Sequence, residues 1–155
     1  AFHRLDRPHV AALVNQWLEP GAHFALLWTS MPWQGPAPWQ TAAMETIRHW
    51  MDVTGSLRNI PADLEQSVRD DPHTAVLARA GFDVVGSHEI RVPRTWSAET
   101  LVGFAHSTSI FSRAALGEYA GRFEEDFAAR LLALHPGNNF VEEVRFSYDL
   151  AKKRP

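Results

Sequence analysis

Residues 23–29, His-Phe-Ala-Leu-Leu-Trp-Thr, form a nearly continuous apolar run between Pro20-Gly21 and a stretch, Ser30 to Trp39, that carries Pro32, Gly35, Pro36 and Pro38. The run is too short for a helix and too apolar for a strand with one wet face. It therefore predicts a strand covered on both faces, of the kind found inside parallel sheets. The Pro- and Gly-rich stretch cannot continue either periodic structure and reads as a loop, with Trp33 and Trp39 inside it. A strand of this type needs partners, and that demand constrains the rest of the chain.

Upstream, Asp6 is placed to cap a helix with Pro8 in its first turn. Val10, Leu13, Val14, Trp17 and Leu18 follow the spacing of one buried face, and Pro20-Gly21 ends the helix. Downstream, Ala43, Ile47, Trp50 and Met51 predict a second amphipathic helix ending near Gly55. Pro61 can open a short helix carrying Leu64 and Val68, and Asp71 to Ala80 reads as another, with Gly81 at a left-handed C-cap. Phe82 to Val92 predicts a strand ended by Pro93. Ser97 caps a helix holding Leu101, Val102 and Ala105, broken at Ser107 to Ser109. Ser112 caps a longer helix in which Leu116, Phe123, Phe127, Leu131 and Leu134 recur, with Glu124, Glu125 and Asp126 facing outward and Gly117 and Gly121 as points of bending or close packing. After the turn Pro136-Gly137-Asn138-Asn139, the residues Phe140 to Leu150 alternate as a final strand. Lys152, Lys153 and Arg154 read as a solvated tail. The order of elements is that of a layered α/β or α+β fold with three strands, and 155 residues fit a single domain, residues 1–155.

The absence of cysteine excludes disulfides, thiolate metal sites and cysteine nucleophiles. With 15 basic against 18 acidic residues the net charge is -3, which argues against a partner that is nucleic acid or an anionic membrane. No apolar run reaches membrane-spanning length and no signal-peptide pattern opens the chain, so a soluble, cytoplasmic protein is expected. The chain opens on Ala1 rather than Met and runs directly into structured sequence, which reads as a piece of something longer.

Sites of familiar chemistry are missing. His3, Asp6 and His9 straddle a helix start, and Asp6 is better used as a cap than as a ligand, so no metal site is expected. There is no Gly-x-Ser-x-Gly elbow, and Ser107 and Ser109 beside His106 are of the kind that bond to helix ends. Neither glycine-rich phosphate motif occurs. Glu142 and Glu143 point to opposite faces of a strand, so they cannot share a proton as a dyad, and they read as sheet-surface charges. What remains is aromatic material at the ends of elements, drawn from 6 Trp and 9 Phe. Such side chains either line an apolar pocket or close the core beneath a long loop.

Ala1-Phe2-His3-Arg4-Leu5-Asp6-Arg7, followed by Trp17-Leu18-Glu19-Pro20-Gly21-Ala22-His23-Phe24-Ala25-Leu26, resembles the class I S-adenosylmethionine-dependent methyltransferases. Gly81-Phe82-Asp83-Val84-Val85, Trp96-Ser97-Ala98-Glu99-Thr100-Leu101 and Ser107-x-Ser109 are similar to the carboxyl-terminal half of that family. Arg4 stands where the family usually has Trp, and Ala22 replaces the second Gly of its Pro-Gly-Gly turn. The glycine-rich cofactor loop of the family's first half has no counterpart here.

The resemblance implies an α/β fold: the carboxyl-terminal half of a Rossmann-like methyltransferase sheet, about three strands flanked by helices, with the last strand antiparallel. It implies that Phe2 and His3 border the cavity for cofactor and acceptor. Trp28, Thr29 and Trp33 would end the strand before that cavity, and Trp96, His106 and Ser107 would belong to the insertion that covers the acceptor. A methyl sulfonium is already electrophilic, so such a protein mainly aligns the acceptor and excludes water, with His3 or His106 as the base where one is required. The expectation is therefore the carboxyl-terminal part of a small-molecule methyltransferase, truncated and inactive by itself. It would supply walls for a small-molecule methyl acceptor while S-adenosylmethionine belongs to the full-length family. The rival is a non-catalytic α+β module that binds an apolar ligand or dimerises through an exposed sheet edge.

Overall fold

The computed structural model describes residues 2, 5–56 and 64–155. The elements run α1 (Arg7–Trp17), β1 (His23–Thr29), α2 (Pro38–Val53), α3 (Leu64–Asp70), α4 (His73–Arg79), β2 (Phe82–Trp96), α5 (Ala98–His106), α6 (Arg113–Leu116), α7 (Ala120–Leu134) and β3 (Phe140–Lys153). This is a mixed α/β fold with an open antiparallel sheet of order β1-β3-β2 and flanking helices. The last strand of the chain lies between the other two. It pairs with β1 so that His23 faces Lys152, Leu26 faces Asp149 and Thr29 faces Phe146. Pro61 and the start of the third predicted helix lie outside the described residues.

The chain gathers into two compact units, each with its own core. The first comprises residues 1–29, 60–90 and 145–155, and its core is Ala11, Leu26, Val76, Leu77, Phe82 and Ala151. Asp6 accepts a hydrogen bond from the His9 amide at 3.1 Å, so the first helix starts where its cap predicts. Its buried face is rotated from the predicted one. Arg7 and Ala11 are buried with Val14 and Leu18 partly so, while Trp17 is 73% exposed. Two main-chain carbonyls at the end of this helix, Asn15 O and Leu18 O, are each met by Lys153 Nζ at 2.8 Å. Of the residues read as a solvated tail, Lys152 and Lys153 therefore belong to β3, Lys153 closes α1, and Arg154 pairs with Asp83 at 2.7 Å.

β1 has the predicted bounds but not the predicted surroundings. It is an edge strand with β3 as its one neighbour among the described residues. Leu26 is its buried residue, whereas Leu27 is 76% exposed. Neither face-to-face cover nor a parallel neighbour is present among the described residues. β2 also departs from expectation, since it runs through Pro93 to Trp96. A proline is tolerated there because the strand lies at the sheet's edge, where a missing amide donor need not break a ladder.

The second unit comprises residues 30–59 and 91–144. Its core packs α2, α5 and α7 through Ala43, Ile47, Trp50, Leu101, Ala105, Phe123, Phe127 and Leu131, with Trp33, Trp39, Trp96 and Phe140. α5 opens on Ser97, whose hydroxyl accepts from Thr100 N at 3.1 Å, while Asn138 Oδ1 accepts from Ala98 N at 2.7 Å. Ser112 caps as predicted, but the helix it opens is interrupted after one turn by Gly117, whose φ of +55° breaks helical geometry. Trp50 Nε1 donates to Asp126 Oδ2 at 2.9 Å, and Arg130 pairs with the other oxygen at 2.8 Å. Asp126 is therefore tied to the core rather than simply facing outward.

Candidate functional site

In the second unit, the loop before α2 is built around one side chain. Gln40, buried in the first turn of α2, accepts from Ala37 N at 3.1 Å and donates to Pro32 O at 2.8 Å. Its carboxamide fills the space that a Cβ on Gly35 would take. The loop from Pro32 to Ala37 is thus closed by its own side chain, and its glycine makes room for protein rather than for a ligand.

In the first unit, two of the residues singled out in the sequence meet on a third that sequence reasoning passed over. The Phe2 ring packs edge-on against His73 at 5.2 Å between centroids, and Trp28 packs against the same imidazole at 6.4 Å. Trp28 is 45% exposed, and Phe2 and His73 are half-buried. Behind them the Arg7 guanidinium donates to Asp71 O at 2.6 Å, to Ser67 O at 3.1 Å and to Ser67 Oγ at 3.2 Å, and it lies 3.4 Å from His73 Nδ1. An arginine N–H only donates, so Nδ1 takes the acceptor role in that contact. The Asp71 carboxylate is engaged by Arg79 at 2.7 Å. The result is an aromatic shelf, partly open to solvent, on a buried cation whose hydrogen bonds go mostly to main-chain and hydroxyl oxygens. His3, the other candidate of this segment, lies outside the described residues.

In the second unit the candidates are built into the core. Phe104 bridges Trp33 and Trp96, edge-on to each at 5.5 Å. Trp33 is 7% exposed and Trp96 4%, which places both in the core beneath the loop. Trp96 Nε1 donates to Glu142 Oε1 at 2.8 Å, and the Arg94 guanidinium lies 3.7 Å from the Trp96 ring centre. Glu142 is therefore buried and structural, whereas Glu143 is exposed and meets Arg91 at 3.2 Å. The two carboxylates do part to opposite faces, but only one of them is a surface charge.

His106 ends α5 with both ring nitrogens engaged. Nδ1 lies 2.7 Å from Phe111 O and Nε2 lies 2.9 Å from Glu124 Oε1, and Arg113 meets that same oxygen at 2.8 Å. To take a proton from a bound molecule, the ring would first have to release one of these contacts. Ser107 Oγ donates to Phe104 O at 2.6 Å, a helix-end bond of the kind its position predicts.

The sequence candidates thus fall into two groups: Phe2 and Trp28 in the first unit, and Trp33, Trp96, His106 and Ser107 in the second. Reading the sequence missed Arg7, His73, Glu124 and the inward role of Glu142. A signal existed for the last, because Glu142 shares the strand parity of Phe140 and Val144. None existed for His73, whose neighbours come from distant parts of the chain. Among the described residues no three His, Asp or Glu side chains are grouped as metal ligands, and no helix is long and apolar enough to cross a membrane. No family model matches the chain, and no curated protein matches it.

Proposed function

We propose that this chain is the carboxyl-terminal part of a class I S-adenosylmethionine-dependent small-molecule methyltransferase, and that the shelf of Phe2, Trp28 and His73 is a wall of the methyl acceptor's pocket. The observation that carries the reading is the meeting of Phe2 and Trp28 on one half-buried imidazole. Both positions are ones the family resemblance selects, and they are brought together from opposite ends of α1 and β1. The antiparallel last strand is a second support. Flat, partly exposed rings favour an apolar or aromatic acceptor, which they orient by stacking and edge contacts.

The described residues do not fit the cofactor itself. The loop from Pro32 to Ala37 is closed by Gln40, which accepts from Ala37 N and donates to Pro32 O. The reading therefore gives this chain the acceptor's side only.

Two measurements test the reading. Phenol, added as a flat probe of acceptor chemistry, is expected to shift the NMR signals of the Trp28 indole and the His73 ring while leaving those of buried Trp33 and Trp96 in place. An unmoved Trp28 indole overturns the assignment of the wall. Calorimetric titration with S-adenosylmethionine is expected to give no binding, and micromolar binding would place the cofactor machinery inside this chain. An apolar compound retained through purification and identified by mass spectrometry would favour the non-catalytic binding module instead.

A further inference from the structure

We propose that the Asp149 carboxylate is the polar anchor beside the shelf of Phe2, Trp28 and His73. The site then takes a flat ring that carries a hydroxyl or amino hydrogen, and Asp149 accepts that hydrogen. The inference rests on the shelf being a ligand's wall and adds which ligand the wall selects. Phe24, Leu26 and Trp28 share one face of β1, and the pairing with β3 sets Ala151, Asp149 and Ser147 opposite them on that same face. Asp149 is opposite Leu26, and Ser147 is opposite Trp28. The carboxyl group and the indole are therefore diagonal neighbours, a separation that an aromatic side chain or a small ligand can bridge.

Asp149 is 6% exposed, on a face whose other buried residues, Leu26 and Ala151, belong to the apolar core of the first unit. A carboxylate so placed is costly unless its oxygens are bonded. Oδ1 accepts from Ser87 Oγ. Among the described residues no side chain or main chain donates to Oδ2, and none forms an ion pair with the group. No buried side-chain oxygen is left without a partner among those residues, so Oδ2 retains access to solvent. Ser87, which makes the one bond, is itself exposed, so the carboxylate lies just beneath the surface rather than deep in the core. A carboxylate oxygen only accepts, and what completes it is an O–H or N–H. A ring seated against Trp28 and Phe2 can bring that hydrogen with it. The same ring without the hydrogen would strip water from Oδ2 and return nothing, so the site discriminates between the two.

The test compares phenol and aniline with fluorobenzene, a ring of nearly the same size with no hydrogen to donate, by NMR titration of the Trp28 indole signal. In the wild-type chain phenol or aniline is expected to bind about tenfold more tightly than fluorobenzene, and the tighter of the two identifies the donor as hydroxyl or amine. D149N keeps the shape of the side chain and removes its charge. It is expected to bring phenol and aniline down to the level of fluorobenzene, with an unchanged circular dichroism spectrum. Equal binding of all three probes to the wild-type chain, with the Trp28 signal moved by each, would overturn the role of Asp149 while the shelf stands as a wall. A preference that survives in D149N would do the same. A Trp28 signal unmoved by every probe would overturn the wall itself and the anchor with it. The wild-type comparison decides whether or not D149N folds.

Discussion

The indole N–H of Trp96 donates to Oε1 of Glu142 at 2.8 Å, and both residues are buried. A carboxylate is thereby held inside the second unit by the side chain at the end of β2. Removing it leaves a buried donor without an acceptor. E142A is expected to cost about 1–3 kcal/mol, whereas E142Q keeps an acceptor oxygen and is expected to cost less. Urea denaturation of the two variants checks this, and equal losses would show that the acceptor is not what matters.

Asp126 supplies a pH dependence. Burial pushes its carboxyl upward, but hydrogen bonds from Arg130 and Trp50 and the charges of Arg130 and His49 outweigh this, so it is held below the usual carboxylate value. A group more acidic when folded contributes stability above its unfolded pKa, and that contribution is lost as the pH falls through the folded value. The gap in denaturation midpoint between wild type and D126N is therefore expected to be widest near neutral pH and to close in acid. A gap that widens toward low pH would contradict the sign.

Lys153 closes α1 by donating to Asn15 O and Leu18 O. K153M keeps most of the aliphatic stem and removes the donor. It is expected to destabilise the fold by about 0.5–2 kcal/mol, from lost bonds to carbonyls and the lost charge at a helix end. Amide hydrogen exchange should rise first in the last turn of α1.

The rotated face of α1 makes two opposite predictions on one helix. W17S changes a side chain that is 73% exposed and is expected to leave stability within about 0.5 kcal/mol. A11L forces a larger side chain into a site with no exposure and is expected to cost about 1–3 kcal/mol. Thermal melts of both variants distinguish this face from the one that apolar spacing alone predicts.

Much of this architecture is legible in local chemistry. Asp6, Ser97 and Ser112 stand where helices open, Gly81 turns the chain at a φ of +93°, and the bounds of β1 follow from its flanking Pro and Gly residues. Caps, breakers and periodicity act through bonds a few residues long, so their effects are written in consecutive sequence. What only the tertiary structure decided is which surfaces meet. The apolar β1 is an edge strand because β3 and not β1 occupies the middle of the sheet. The buried positions of β3 are Phe140, Glu142 and Val144 at one end but Asp149 and Ala151 at the other, as each half serves the core of its own unit. Trp33 and Trp96 became core while Trp28 joined Phe2 on His73, a choice made by partners distant in the chain. Apolar side chains specify only that they be covered, because the hydrophobic effect has no direction, and what covers them is settled when the whole chain packs.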